Sequence, residues 1–281
     1  MIFSIAAELE LFAESVHAAL ASWEPPSEAA LGDWRDDRDD ALSDRLRELG
    51  WAELWSDAEL LGPAVAGGIE LGRAVAPLHL VDEAALGAPL GVNGRVRHAE
   101  GRASAAWARA GVGLLLAPIE QTRREASLDS VGTVVGQVGM GSEPDDAAAR
   151  WHAWSAATLA YFAGLADATV DRAVEHARSR EQFGAPLASL PAIQAKLADA
   201  ALARDALALT AWSLADPAAS PISFAELTWA GGACRSVTAI AQHVHGAIGF
   251  ALESGLHRAF RRAKTAQVWA DAVCAATKAS L

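Results

Sequence analysis

Apolar residues recur at helical spacing over most of the chain. Ile5, Leu9, Phe12, Val16 and Leu20 fall on one face and predict a helix over residues 1–24. Pro25-Pro26 ends it, because proline lacks the amide donor and restricts the residue before it. From Asp33 to Glu48 opposite charges stand three and four apart, the pattern of a solvated helix face. Between Gly50 and Pro77, Gly62-Pro63 and Gly67-Gly68 predict that the helix is broken into short pieces. The pattern changes after residue 90. GVNGRVRHAEG, from Gly91, predicts a strand and turn, Val112 to Ile119 a buried strand, and Val131 to Val138 another. Glycines every few residues suit a small β module that must lean on helical neighbours. From Arg150 the helical period returns. Leu159, Phe162, Ala166, Val170, Ala173 and Ala177 mark one helix, and Leu190, Ile193, Leu197, Ala200, Leu207, Ala211 and Leu214 a second. A turn at Asp216–Pro221, a helix over Ile222–His245, a glycine-punctuated loop over Gly246–Gly255 and a helix over Leu256–Lys278 complete the chain. The expected fold is mainly α: an N-terminal helical region (1–90), a reduced β module (91–150) and a C-terminal four-helix bundle (151–281).

Composition narrows the function. In 281 residues, 52% are apolar, and 35 acidic against 23 basic side chains give a net charge of −12. An acidic chain lacks the basic face that nucleic-acid binding needs. No apolar run approaches the roughly 20 residues of a spanning helix. The opening MIFSIAAELE has no basic n-region, so a secretory signal is not expected. These features point to a cytoplasmic protein without a membrane partner. Cys234 and Cys274 make neither a disulfide framework nor a zinc site. His243 and His245 lack a third metal ligand nearby and read as helix-end histidines. There is no P-loop, no dinucleotide-binding glycine fingerprint, no HExxH and no GxSxG.

Two segments carry more. SREQFGAPLASLPAIQAKLAD, from Ser179, and VHGAIGFALESGLHRAFRRAKT, from Val244, resemble two blocks of the acyl-CoA dehydrogenase family: an Arg-x-x-Phe-Gly turn with its AIQxKLAD helix, and the HGGIGF loop with a following acidic residue and last helix. ELGRAVAPLHLVDEAALGAPL, from Glu70, resembles the end of the family's first helical domain. The resemblance implies an FAD-dependent oxidation of the α–β bond of an acyl-CoA thioester. It places Arg180 at the pyrophosphate or adenylate end of a neighbouring subunit's FAD, where a planar fork of donors suits phosphate. Gln182 and Phe183 line the same pocket. Gly246 and Gly249 sit where the family's loop passes the cofactor closely, as residues without a Cβ can. Ala247 replaces the family's second glycine, and His243 stands where glutamine is usual, with Gln242 one position earlier. Glu253 matches the family's catalytic carboxylate, a base that removes the α-proton in a dry site that raises its pKa. Arg180 and Gly184 also suit a plain helix C-terminus, and Glu253 a solvated loop.

One part of the family pattern is missing. Its central β domain carries a threonine-glutamate-proline-glycine-serine type segment that contacts flavin and acyl group, and Val92–Arg150 holds none; only LLLAPIEQT and SLDSVG resemble that domain's last strands. Three readings follow: a shorter subunit whose full-length acyl-CoA dehydrogenase partner covers the flavin, a complete homo-oligomeric enzyme, or a degenerate relative that binds neither FAD nor acyl-CoA. Alanine-rich bundle faces predict an oligomer. Trp51, Trp55 and Trp229 suit either an acyl pocket or a core.

Overall fold

A computed structural model describes residues 7–23, 37–97, 104–109, 113–125, 133–216, 218–220 and 222–278. Ile5, Pro25, Pro26, Val112, Val131 and Pro221 lie outside them. Helix α1 (Ala7–Ala21) turns Val16 and Leu20 into the core, and the charged α2 (Asp37–Glu48) buries Leu42 and Leu46. The short α3 (Trp51–Leu54) brings Trp51 edge-on to Trp55, with ring centroids 5.4 Å apart. The Trp51 indole donates to the Leu80 carbonyl at 2.9 Å, so both side chains belong to the core and not to a pocket. Trp229 is exposed.

The expected breaks at Gly62-Pro63 and Gly67-Gly68 do not occur: α4 runs unbroken from Leu61 to Arg73. Pro63 sits in its first turn, where the amide has no partner four residues back. The glycines serve close approach. A Cβ on Gly68 would stand 2.8 Å from that of Ala160. A Cβ on Gly72 would overlap the Tyr161 carbonyl, and one on Gly164 the Ile69 carbonyl. Helix α6 (Ala147–Ser179), 33 residues and about 50 Å long, therefore lies directly on α4. Gly164→Ala should cost about 1–3 kcal/mol by forcing two backbones apart, read as a lower denaturant midpoint at unchanged slope.

After α5 (His79–Leu86), strands β1 (Leu90–Val92), β2 (Arg95–Arg97), β3 (Ser104–Arg109), β4 (Gly113–Glu125) and β5 (Thr133–Val138) close a small barrel in the order β1-β2-β5-β4-β3. The β1–β2 hairpin turns on Asn93-Gly94, with φ of 50° and 74°, the geometry that this dipeptide favours. Closure comes from the parallel pairing of β1 with β3, where a Cβ on Gly91 would stand 2.7 Å from the Trp107 ring. β3 has no counterpart in the strands expected from the sequence. Its SAAWAR reads as helix-favouring alanine, and only pairing with β1 and β4 makes it a strand. Val96, Ala105, Trp107, Leu115 and Ala117 fill the barrel, which packs against α5, α6 and α9.

Helices α6, α7 (Pro191–Ser213), α8 (Phe224–His245) and α9 (Leu256–Lys278) form the bundle. Pro191 opens α7, and a Ser223–Glu226 capping box opens α8. Two buried arginines tie the layers. Arg97 of β2 makes a two-pronged ion pair with Asp82 of α5, Nε to Oδ2 at 2.6 Å. Trp154 Nε1–H donates to the same carboxylate at 3.0 Å, and Trp269 lies 5.3 Å under the guanidinium. Arg262 of α9 donates to the carbonyls of Val75, at 3.1 Å, and Ala76. It thereby holds the loop in which Val75 adopts φ 56°, a strained value for a β-branched residue. Among the described residues no helix is long and apolar enough to cross a membrane.

Candidate functional site

Six of the seven expected site residues lie around the adjoining C-terminal ends of α6 and α8; Glu253 lies on the turn that follows. Arg180 ends α6 in an extended conformation, its amide donating to the His176 carbonyl at 2.8 Å, and its side chain is exposed. It leads into a two-stranded hairpin, β6 (Glu181–Gln182) with β7 (Ala185–Pro186), in which Gln182 pairs with Ala185. The turn between them is Phe183-Gly184, with φ of 54° and 79°. An aromatic residue in the left-handed region is costly, and Phe183 is 90% exposed, so its own chain offers no compensation. The tip of the hairpin presents an uncovered ring, and its base an exposed guanidinium.

At the end of α8, His243 is exposed and meets Phe250 edge-on at 6.1 Å. Gly246 follows with φ 65°, and a Cβ there would meet no atom within 4 Å. Ala247 is exposed. Gly249 is different: a Cβ would stand 2.9 Å from that of His245 and overlap the Gln242 carbonyl, so this glycine lets the turn fold back on α8. Glu253 sits exposed in a single 3-10 turn, Leu252–Ser254. That surrounding does not supply the dryness that a general base at this position needs.

Sequence reasoning passed over two neighbours of these groups. Arg172 of α6 donates to the Ser254 carbonyl and so fixes the Glu253 turn. His176 stacks on His245, centroids 4.1 Å apart and planes 19° from parallel. Burial, then the His245 and Arg180 charges, push the His176 pKa below the usual imidazole value, and burial with Arg172 does the same for His245. The available signal was position: His176 lies one helical turn before Arg180, and His245 directly precedes Gly246. No group of three potential metal ligands occurs among the described residues.

The family described as acyl-CoA dehydrogenase, C-terminal domain, matches residues 150–270, which takes in α6 to most of α9 and every residue of this cluster. Residues 150–270 are thus similar to the C-terminal domain of acyl-CoA dehydrogenases. A bovine relative, the mitochondrial short-chain specific acyl-CoA dehydrogenase, is 36% identical over 112 residues, 38% of this chain and 27% of that protein. The probable acyl-CoA dehydrogenase YngJ of Bacillus subtilis is 37% identical over 112 residues, 37% of this chain and 29% of that protein. The matched stretch thus spans little more than a quarter of these curated relatives. The acyl-CoA dehydrogenase fold itself extends over the whole chain. The Tcur3481-Tcur3483 steroid ACAD superposes with a TM-score of 0.75 at 21% identity, over 97% of this chain and 96% of the other. The ChsE4-ChsE5 complex from Mycobacterium tuberculosis superposes at 0.70 and 18% identity, over 97% and 96%. A glutaryl-CoA dehydrogenase from Mycobacterium smegmatis, in complex with FADH2, does so at 0.68 and 11%, over 95% and 92%.

Proposed function

We propose that the chain is the shorter subunit of a heteromeric, FAD-dependent acyl-CoA dehydrogenase and that it serves a flavin held chiefly by a full-length partner. The observation that carries this reading is the seam where the barrel meets α5, α6 and α9. Arg97, Asp82, Trp154 and Trp269 occupy it, and the void beside Arg97 and Trp154 is about 10 Å³. That is room for one water, and not for a tricyclic ring or a thioester.

The outer cluster fits the other half of the cofactor. Arg180 offers a fork of donors, a Cβ on Gly246 would meet no atom within 4 Å, and Gln182, Phe183, His243 and Ala247 are exposed at the same two helix ends. These residues would hold the pyrophosphate or adenylate end from across the interface. FAD, when bound, supplies the hydride acceptor for α,β-desaturation of the acyl-CoA substrate. This chain's share is to bind and orient the cofactor and to exclude water from its phosphate end.

Assembly is supported by α7, which buries Ala200, Leu207 and Ala211 on one side and leaves Leu202 and Leu209 exposed on another. A helix apolar on two faces needs two neighbours. The ChsE4-ChsE5 complex, one of the matching structures, is by its own description an assembly of two components.

Visible spectra decide between the readings. The chain purified alone should be colourless, and co-expressed with a full-length acyl-CoA dehydrogenase homologue it should co-purify as a yellow complex. Flavin in the isolated chain with acyl-CoA oxidation would instead make it a complete enzyme. In the complex, Glu253→Gln should leave flavin content and turnover within about twofold; a ~10²-fold loss, the scale of a missing general base, would assign Glu253 to catalysis.

A further inference from the structure

We infer that the stacked His176–His245 pair is a positioning device: it ties the α6 end that carries the Arg180 hairpin to the end of α8, and it loses its hold as the two rings take up protons. The pair's effect on flavin rests on the function proposed above, whereas the placement of the hairpin is a property of this chain alone.

The two rings join separate helix ends. His176 carries the anchor of the hairpin on its own backbone, since its carbonyl accepts the Arg180 amide at 2.8 Å. The hairpin closes back through the Leu187 amide, which donates to the Arg180 carbonyl at 2.8 Å. His245 is the last residue of α8, directly before the Gly246 turn, and its Nδ1–H donates to the Ala241 carbonyl at 2.8 Å. Neutral imidazoles stack face to face at this separation, whereas two imidazolium rings 4.1 Å apart repel.

The surroundings bias the pair toward neutrality. From α6, Arg172 bears on His245 and Arg180 on His176, and Glu175 lies beside Arg172. From α8, His243 is engaged with Phe250. The Glu253 turn is tied to Arg172 through the Ser254 carbonyl. Where α7 reaches this end of the bundle it contributes the apolar Leu190, Ile193 and Leu197. The helix C-termini favour a cation and oppose the trend, but burial and the arginines prevail and both rings titrate below the usual imidazole value.

The sign follows from linkage. With the hairpin released, each ring regains a pKa of about 6.5 and takes up protons before the docked form does. Docking is therefore at full strength above about pH 7 and weakens as the pH falls toward 5. Protonation would swing away the guanidinium proposed to meet phosphate.

Amide hydrogen exchange of the full chain at pH 8 and pH 5, corrected for intrinsic rates, tests this. Protection of the Arg180 and Leu187 amides should fall roughly tenfold or more on acidification, while amides in the middle of α6 keep theirs. His176→Phe keeps an aromatic ring without a charge and should hold the change within about threefold. Equal protection at both pH values in the parent chain, or an undiminished loss in His176→Phe, would overturn the inference. Ring titration by NMR is a second measurement should that variant not fold. Both imidazoles should titrate below 6.5, and His245→Phe should raise His176; two ordinary titrations would refute the latch. A chain that shows the acid step but never retains flavin with a partner keeps the latch and loses the proposed function. Flavin retention with pH-independent protection does the reverse.

Discussion

Asp82→Asn should lower the unfolding free energy by about 3–5 kcal/mol, the usual cost of removing one partner from a buried ion pair. The carboxylate is fully buried, and it accepts from Arg97 on two oxygens and from the Trp154 indole at 3.0 Å. Asparagine keeps the shape but removes the charge, and the buried Arg97 guanidinium is left with one neutral amide oxygen and the Trp269 face as its compensation. The loss corresponds to a midpoint lower by roughly 6–20 °C for a protein of this size. Because Asp82 stands on α5, Arg97 on β2 and Trp154 on α6, the barrel should loosen from the helices before the bundle melts. Arg97→Met should cost a similar amount, and the double variant far less than the sum. A thermal melt of the four proteins measures the coupling; additive losses would mean that the two groups act separately. The same pair supports the proposed division of labour, since it fills the seam between barrel and helices and leaves no room there for a ring system.

Arg180→Ala should weaken flavin retention by the heteromeric complex roughly ten- to a hundredfold. A charge-assisted hydrogen bond of about 1.5–3 kcal/mol is lost, with no change in the stability of the chain itself. Stability is spared because the Arg180 side chain is exposed and its anchoring contact is made by its backbone amide. Arg180→Lys should recover only part of the affinity, since an ammonium cannot reproduce the planar fork. Flavin absorbance after gel filtration of the complex gives the answer. Full retention in Arg180→Ala would remove this residue from the cofactor site and with it the main contact assigned to the chain.

How much of this was legible beforehand depends on how far apart the deciding groups lie. The four bundle helices appear where the apolar period puts them, and α9 matches its expected span, Leu256–Lys278. The Asn93-Gly94 hairpin is likewise set by local turn chemistry. The Arg180 and Gly246 blocks were readable because their turns combine particular residues, Phe183-Gly184 and Gly246 with Gly249, at short, fixed spacing. Where local signals misled, a neighbour distant in the chain was responsible. The glycines of α4 look like breaks because their purpose, close approach of Gly67 to Trp51 and Phe12 and of Gly68 and Gly72 to Ala160 and Tyr161 of α6, is not written next to them.

The amino-acid sequence by itself determined the positions of the bundle helices, the likeness of residues 150–270 to acyl-CoA dehydrogenases and the residues that gather at the α6 and α8 ends, because periodicity, capping and turn preferences act over a few residues. Only the tertiary structure decided that β3 is a strand, that Asp82 and Arg97 seal the barrel against the bundle, and that His176 meets His245. These depend on which surfaces are brought together across long stretches of chain, and burial sets both their energies and their protonation only after that packing is complete.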